Sequence, residues 1–258
     1  MGRFFKTFIV SQVQNNLHPL LACIARHCVK ILRIDHEGDR GMKLLIGSSD
    51  IARLFNIKEL NPEDRARYLA HKNLQESLDF KTSRALLSLH GKGERYCISH
   101  KNGNAAVAFY ANGVGVDMEE IKPRKNLIDL FGFFANEEEE PFFYTLDAQN
   151  QLLFFYELFT LKEALIKLKN SDFFNIKQEV ASEVHYSLDF HIACNTYEES
   201  IIYQQHQAIL LGLQTRDLSQ CKFVAKFFVC KIKATEYMIC CVAKNQNIMA
   251  TPERFELP

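Results

Sequence analysis

The stretch LLFFYELFTLKEALIKLK, from Leu152 to Lys169, is apolar on two sides. Phe154, Leu158, Leu161, Leu165 and Leu168 recur at helical spacing and make one stripe. Phe155, Phe159 and Ile166 lie on the opposite side. A surface helix needs one apolar stripe, so this one is expected to be packed from both sides. Glu163 falls on the second side, between Phe159 and Ile166, with Lys167 at i+4. An isolated buried carboxylate is very costly, so Glu163 must be paired or bound to a metal. A structural Glu163–Lys167 pair on a solvated strip is the alternative. The helix alone does not separate the two. Lys162 sits at the edge of the first stripe.

A second constrained stretch is GVGVDMEE, Gly113 to Glu120. Strand side chains alternate faces. Val114, Val116 and Met118 then share a core face, and Gly113, Gly115, Asp117 and Glu119 share the other. The glycines strip that face and leave room for something to approach the backbone. Two acids at i and i+2 can converge on one hard cation. They are also what a solvated strand face leading into the charged loop EEIKPRK would show.

Around these stretches the chain reads as α+β. Asn61 to Leu89 is expected to be helical, with Asn61 as N-cap, Pro62 at the first helical position and acids behind it. RYCIS, AAVAFYA and VGVDME follow as strands, with turn chemistry in HKNGN and a two-residue hairpin signal at Asn112-Gly113. This predicts a three-stranded meander. Its first strand ends at Ser99-His100 and its third at Asp117 to Glu119, on the same edge and about 10 Å apart across the middle strand. A diphosphate with its metal could bridge such a gap. Leu127 to Asn170 reads as helical. EVHYSLDFHIAC, AILLGLQT, KFVAKFFVCKIK and EYMICCVAK read as strands, as does FFKTFIV near the start. Helices followed by strands thus appear twice, with a seam near Gly113 to Lys125.

Composition narrows the class. Of 258 residues, 47% are hydrophobic, which is enough for a real core. Lys plus Arg and Asp plus Glu both number 31, which argues against a dedicated nucleic-acid binder. No stretch has the length and apolarity of a membrane span. The start shows no signal-peptide cleavage site. The expectation is a soluble cytoplasmic protein. The eight cysteines form no C-x-x-C pair and read as small buried hydrophobes in a reducing compartment. Cys23 and Cys28 lie near His18 and His27, but at no common zinc spacing.

Together these pieces resemble the 4′-phosphopantetheinyl transferase superfamily, and within it the Sfp-type enzymes. That signature is V-G-V/I-D-x-E, a spacer, then W/F-S/T-x-K-E-A/S-x-x-K. Here Val114 to Glu119 match the first block and Phe159 to Lys167 the second. Ile98-Ser99-His100 matches an upstream I-S-H block, and Gly91-Lys92 sits where the family often has G-K-P. FFANEEE resembles the intervening F-F-x-x-x-E, which puts the acid at Glu138. The resemblance covers roughly Asn61 to Lys169 well and the C-terminal strands loosely. Phe159 replaces the frequent Trp, Gly93 the proline, and Lys101 the commoner Ser after Ser-His.

The resemblance implies a pseudo-dimer of two similar α+β halves, residues 1–112 and 113–258, with coenzyme A between them. It implies transfer of 4′-phosphopantetheine from coenzyme A, as co-substrate, to a serine of an acyl or peptidyl carrier protein. Asp117, Glu119 and Glu163 would hold Mg²⁺. Glu163 would be the base, with Glu138 the second choice. Lys162 and Lys167 would neutralise phosphate oxygens, and Ser99 and His100 would hydrogen-bond the diphosphate. Lys92 and Arg84 would contact coenzyme A. Arg65, Arg67 and Lys81 are further candidates for its 3′-phosphate. A monomer is expected, since the pseudo-dimer is internal. A non-catalytic carrier-binding module and a Mg²⁺-dependent phosphodiesterase are the rival readings.

Overall fold

The computed structural model describes residues 29–36, 39–90, 94–179, 184–186, 201–205 and 222–244. Two sheets stand back to back among them. The first has the antiparallel order β1 (Val29–His36), β2 (Asp39–Gly47), β4 (Asn104–Phe109), β3 (Tyr96–Lys101). The second has the order β5 (Val114–Glu120), β9 (Thr235–Lys244), β8 (Phe223–Ile232), β6 (Val184–Tyr186). Strand β7 (Ile201–Gln205) also pairs with β8. The β6–β8 pair is parallel and the others are antiparallel. The mixed α+β class expected from the sequence is the one found.

Three apolar clusters stack through the molecule. Leu44, Ile46, Ala106 and Ala108 of the first sheet face Val116, Met118, Phe228 and Ile239 of the second, so the central core lies between the sheets. The outer face of the first sheet, with Leu45, Val107 and Phe109, is covered by Ala85 and Leu86 of α3 (Leu78–His90). The outer face of the second, with Ala225, Phe227, Cys240 and Val242, is covered by α6 (Ala148–Lys169). The strand face predicted to be core, Val114, Val116 and Met118, is buried between the sheets.

Helix α6 is packed on two sides, as its two stripes require. Leu158, Leu161 and Leu165 are buried in the cluster beneath it, and Phe155 and Phe159 meet Phe134 of α4 (Leu127–Phe134). The helix begins at Ala148, earlier than the apolar pattern showed. Asp147 is its N-cap and accepts from the Asn150 amide. Asn170 ends it in the left-handed conformation. Between α4 and α6 runs α5 (Glu139–Tyr144). Gly115 is the contact point of strand and helix. A Cβ built there would collide with the Ala164 carbonyl. What approaches the stripped strand face at Gly115 is therefore the protein's own helix.

Two expectations are corrected. The Asn61–Leu89 segment is three helices, α1 (Pro62–Ala70), α2 (Lys72–Glu76) and α3. Asn61 caps the first as expected, but His71 and Ser77 take extended backbone angles. Ser77 then caps α3 by accepting from the Phe80 amide.

The three-stranded meander is also not formed. Asn102 and Gly103 do turn β3 into β4, both at positive φ. Asn112-Gly113 does not make a second hairpin. Strand β4 already has β2 on one edge and β3 on the other, so no edge is left for β5. The chain turns at Gly113 and enters the second sheet against β9.

Among the described residues no helix is long and apolar enough to cross a membrane. Cys240 and Cys241 are fully buried, and burial raises both thiol pKa values. Cys97, Cys240 and Cys241 carry free thiols. FFKTFIV, AILLGLQT, Cys23, Cys28, His18 and His27 lie outside the described residues.

Candidate active site

Strands β3 and β5 are the edges of their respective sheets, and they run side by side. Edge strands carry unpaired backbone groups. Here side chains join them. The Met118 amide donates to Ser99 Oγ (3.1 Å), and Ser99 Oγ donates to Asp117 Oδ1 (2.9 Å). Lys101 Nζ pairs with Glu119, and Asn102 Nδ2 donates to Glu120 Oε2. The expected separation across a middle strand is thus replaced by direct contact. The acids of β5 stand against the Ser99 end of β3.

Helix α6 closes the group from the other side. Lys167 Nζ lies 2.6 Å from Asp117 Oδ1, 3.2 Å from the Val116 carbonyl oxygen and 3.4 Å from Ser99 Oγ. Its ion pair with Glu163 is longer, 3.8 Å. Glu163 is therefore only loosely compensated. Burial, and next the Asp117 charge, push its pKa up to about 6, against the opposing pull of Lys167. Burial works against the charge of Lys167, but Asp117 outweighs it and the lysine pKa ends up raised. Asp117 is 4% exposed, and its Oδ2 is buried without a hydrogen-bond partner. Such an oxygen keeps its lone pairs available to a further donor or cation.

A metal fits this donor set chemically. Asp117, Glu119 and Glu163 offer carboxylate oxygens alone, the choice of a hard divalent cation. Among the described residues, however, no three His, Cys, Asp or Glu side chains are arranged to hold an ion as they stand. The ammonium groups of Lys167 and Lys101 sit on Asp117 and Glu119 instead.

Other predicted site residues go elsewhere. Lys162 lies in the α4–α5 corner. Its side chain is fully buried, pairs with Glu139 at 2.7 Å and donates to the Phe134 carbonyl at 2.9 Å. Successive helix residues point about 100° apart, so Lys162 faces the α4–α5 corner while Glu163 faces the strands. Burial lowers its pKa, and Glu139 pulls the other way. Arg84 is likewise engaged, in a two-pronged pair with Asp64 (2.8 and 2.9 Å) over the Phe80 ring. Burial works against the Asp64 charge, but Arg84 outweighs it and holds that pKa down. Arg65 donates to the carbonyls of Ile57, Lys58 and Leu60. Arg67 reaches Asp64 at 3.5 Å. His100 points away from Ser99, as alternation requires, and its Nδ1 lies 3.6 Å from Asp79. Glu138 is exposed. Lys92 lies outside the described residues.

Sequence reasoning missed Glu139. Asn136 and Glu139 cap each other, the Glu139 amide donating to Asn136 Oδ1 and the Asn136 amide to Glu139 Oε2. An N-x-x-E spacing ahead of a helix was the available signal. It also missed the loop after β5. Arg124 Nε and the Lys122 amide donate to Tyr156 Oη, which donates to the Lys122 carbonyl.

A search of curated proteins gave no match. The family model described as the 4′-phosphopantetheinyl transferase superfamily matches residues 113–210. That span includes β5 and α6, and with them Asp117, Glu119, Glu163 and Lys167. Over residues 113–210 this chain is therefore similar to the 4′-phosphopantetheinyl transferase superfamily.

Proposed function

We propose that the protein is an Sfp-type transferase. It moves 4′-phosphopantetheine from coenzyme A to a serine of an acyl or peptidyl carrier protein, leaving adenosine 3′,5′-bisphosphate. The observation that carries the reading is the acid–lysine group between β5 and α6, inside the matched stretch, with one buried carboxylate oxygen left without a partner.

The chemistry follows from the side chains. The carrier serine must lose a proton as its oxygen attacks phosphorus. Glu163, with a pKa near 6, is suited to accept it directly or through water, since a base works best when its pKa lies near the working pH. Lys167 would meet developing charge on the phosphate oxygens. Half-exposed His100, at the end of β3, would donate to the diphosphate. A Mg²⁺ ion held by Asp117, Glu119 and Glu163 would neutralise charge at the diphosphate. In this reading Lys162 braces the α4–α5 corner and leaves the phosphates to Lys167. Lys92, from the first half (1–112), would complete the coenzyme A contacts against the second half (113–258). The working form is taken to be a cytoplasmic monomer.

The test is to incubate the protein with coenzyme A, Mg²⁺ and a panel of apo carrier proteins, then record intact masses. Carriers heavier by one phosphopantetheine are expected. Carrier binding without reaction would make it a binding module. Cleavage of coenzyme A with the carrier unmodified would make it a phosphodiesterase. Either result overturns the proposal.

A further inference from the structure

The two strand acids are not equivalent. Asp117 Oδ1 takes Lys167 and Ser99, while Oδ2 is buried and has no partner. Glu119 has no such spare oxygen. Lys101 Nζ lies 3.0 Å from Oε1 and 2.7 Å from Oε2, so one ammonium spans both carboxylate oxygens. Both side chains are well covered, Lys101 at 32% exposure and Glu119 at 15%. Screening by water is therefore weaker than for a surface pair.

Lys101 also reaches beyond its own pair. Its charge is felt at Glu163, where it opposes the rise in pKa. It therefore sits as a positive charge within the field of Glu119 and Glu163, two of the three carboxylates that would coordinate a cation. A divalent ion approaching Glu119 would meet both an occupied carboxylate and a like charge.

We propose that Lys101 is a built-in counter-ion of Glu119, which a divalent cation must displace, and that it sets the cation affinity of the site. The inference rests on the proposed use of Asp117, Glu119 and Glu163 as a cation site. Its physical content is a competition. In the cation-free protein the ammonium satisfies Glu119. When a cation binds, Glu119 turns to it, and the long lysine stem lets the ammonium swing outward, where a phosphate oxygen can accept it. A shorter polar residue at position 101 would leave Glu119 open at all times.

Mn²⁺ is the probe, measured alone by electron paramagnetic resonance titration without coenzyme A or carrier. Lys101→Met keeps most of the stem and removes the charge. It is expected to bind Mn²⁺ roughly five- to tenfold more tightly than the wild type, the scale of a partly buried ion pair plus a removed repulsion. Lys101→Arg is expected to stay within about twofold of the wild type, because the charge remains. Lys122→Met removes a neighbouring charge that pairs with Glu120, and it is also expected to stay within about twofold. Thermal unfolding of each variant confirms a folded preparation.

Equal or weaker Mn²⁺ binding by Lys101→Met overturns the inference. So does equal tightening by Lys122→Met, which would make the effect one of overall charge. If neither the wild type nor any variant binds Mn²⁺, the cation site itself fails, and the inference with it. If all bind equally, only the inference fails.

Discussion

Two lysine–carboxylate pairs built on one helix differ in how completely their atoms are satisfied. Lys162 meets Glu139 at 2.7 Å, and Lys167 meets Asp117 at 2.6 Å. By distance they are alike. They differ in what surrounds them. The first pair is dry, and its atoms are satisfied: Lys162 also has the Phe134 carbonyl, and Glu139 also has the Asn136 amide. The second is partly open. It leaves Asp117 Oδ2 with no partner and shares its lysine with Glu163, whose pKa is pushed up. A completed pair has nothing left to offer a ligand. A pair with one acid too many and one oxygen unpaired is poised to take a cation or move a proton.

Substitutions should separate the two. The largest effect is expected at Glu163. Glu163→Gln keeps the shape but loses the charge and the proton acceptor, so carrier modification should fall by several orders of magnitude. Acid–base catalysis alone accounts for about 10²–10⁴-fold, and weakened cation binding adds to it. A rate within a few-fold of the wild type would reduce Glu163 to a structural partner of Lys167.

Next in size is Lys162→Met. It strands a buried carboxylate, which costs about 3–5 kcal/mol of stability. Denaturant unfolding should show that loss, while the fraction still folded keeps near-normal turnover. Equal loss of turnover in folded protein would merge the two pairs functionally. The double variant Lys162→Met with Glu139→Gln should recover part of the stability, because the uncompensated charge is gone.

Asp117→Ala should lower turnover at least ~100-fold, about 2.7 kcal/mol of transition-state stabilisation. Its fold should survive, since the acid faces the site while Val116 and Met118 hold the core. Near-normal transfer by a folded Asp117→Ala protein would remove the strand acid from the mechanism.

The smallest effect is a pH dependence of stability without divalent cation. Glu163 binds its proton more tightly when folded, about 6 against the ordinary 4.5. The native state therefore carries extra protons between those values, and stability falls as pH rises from about 4.5 to about 6. Glu163→Gln should remove that fall, by roughly 2 kcal/mol. The two proteins should differ least below pH 4.5 and most above 6. An identical pH profile for both would mean that Glu163 is not held in the environment described.

Much of this was legible in the sequence because it follows from periodicity. The core face Val114, Val116, Met118 and the doubly packed helix come straight from spacing. So did the nearness of Glu163 to Lys167, and the motif spacing led to the matched superfamily. What spacing could not show was competition for partners. Asn112-Gly113 is good hairpin chemistry, yet β4 had no edge to give, and that depends on β2 arriving from far back in the chain. Lys162 and Lys167 look alike in the sequence. Only the α4–α5 corner, closing over the first, distinguishes them. Ser99 was read as a diphosphate contact. Its hydroxyl also joins Asp117 to the Met118 amide, a use visible only once two sheet edges meet.

The central claim is that the open pair near Glu163, and not the completed pair one residue away, carries the chemistry. The most direct measurement is made on one preparation of Glu163→Gln, with carrier modification followed by intact mass and coenzyme A affinity by calorimetry. The account predicts almost complete loss of modification with coenzyme A affinity reduced far less, because His100 and the basic groups remain. Modification within a few-fold of the wild type would contradict it and send the search for the base to Glu138.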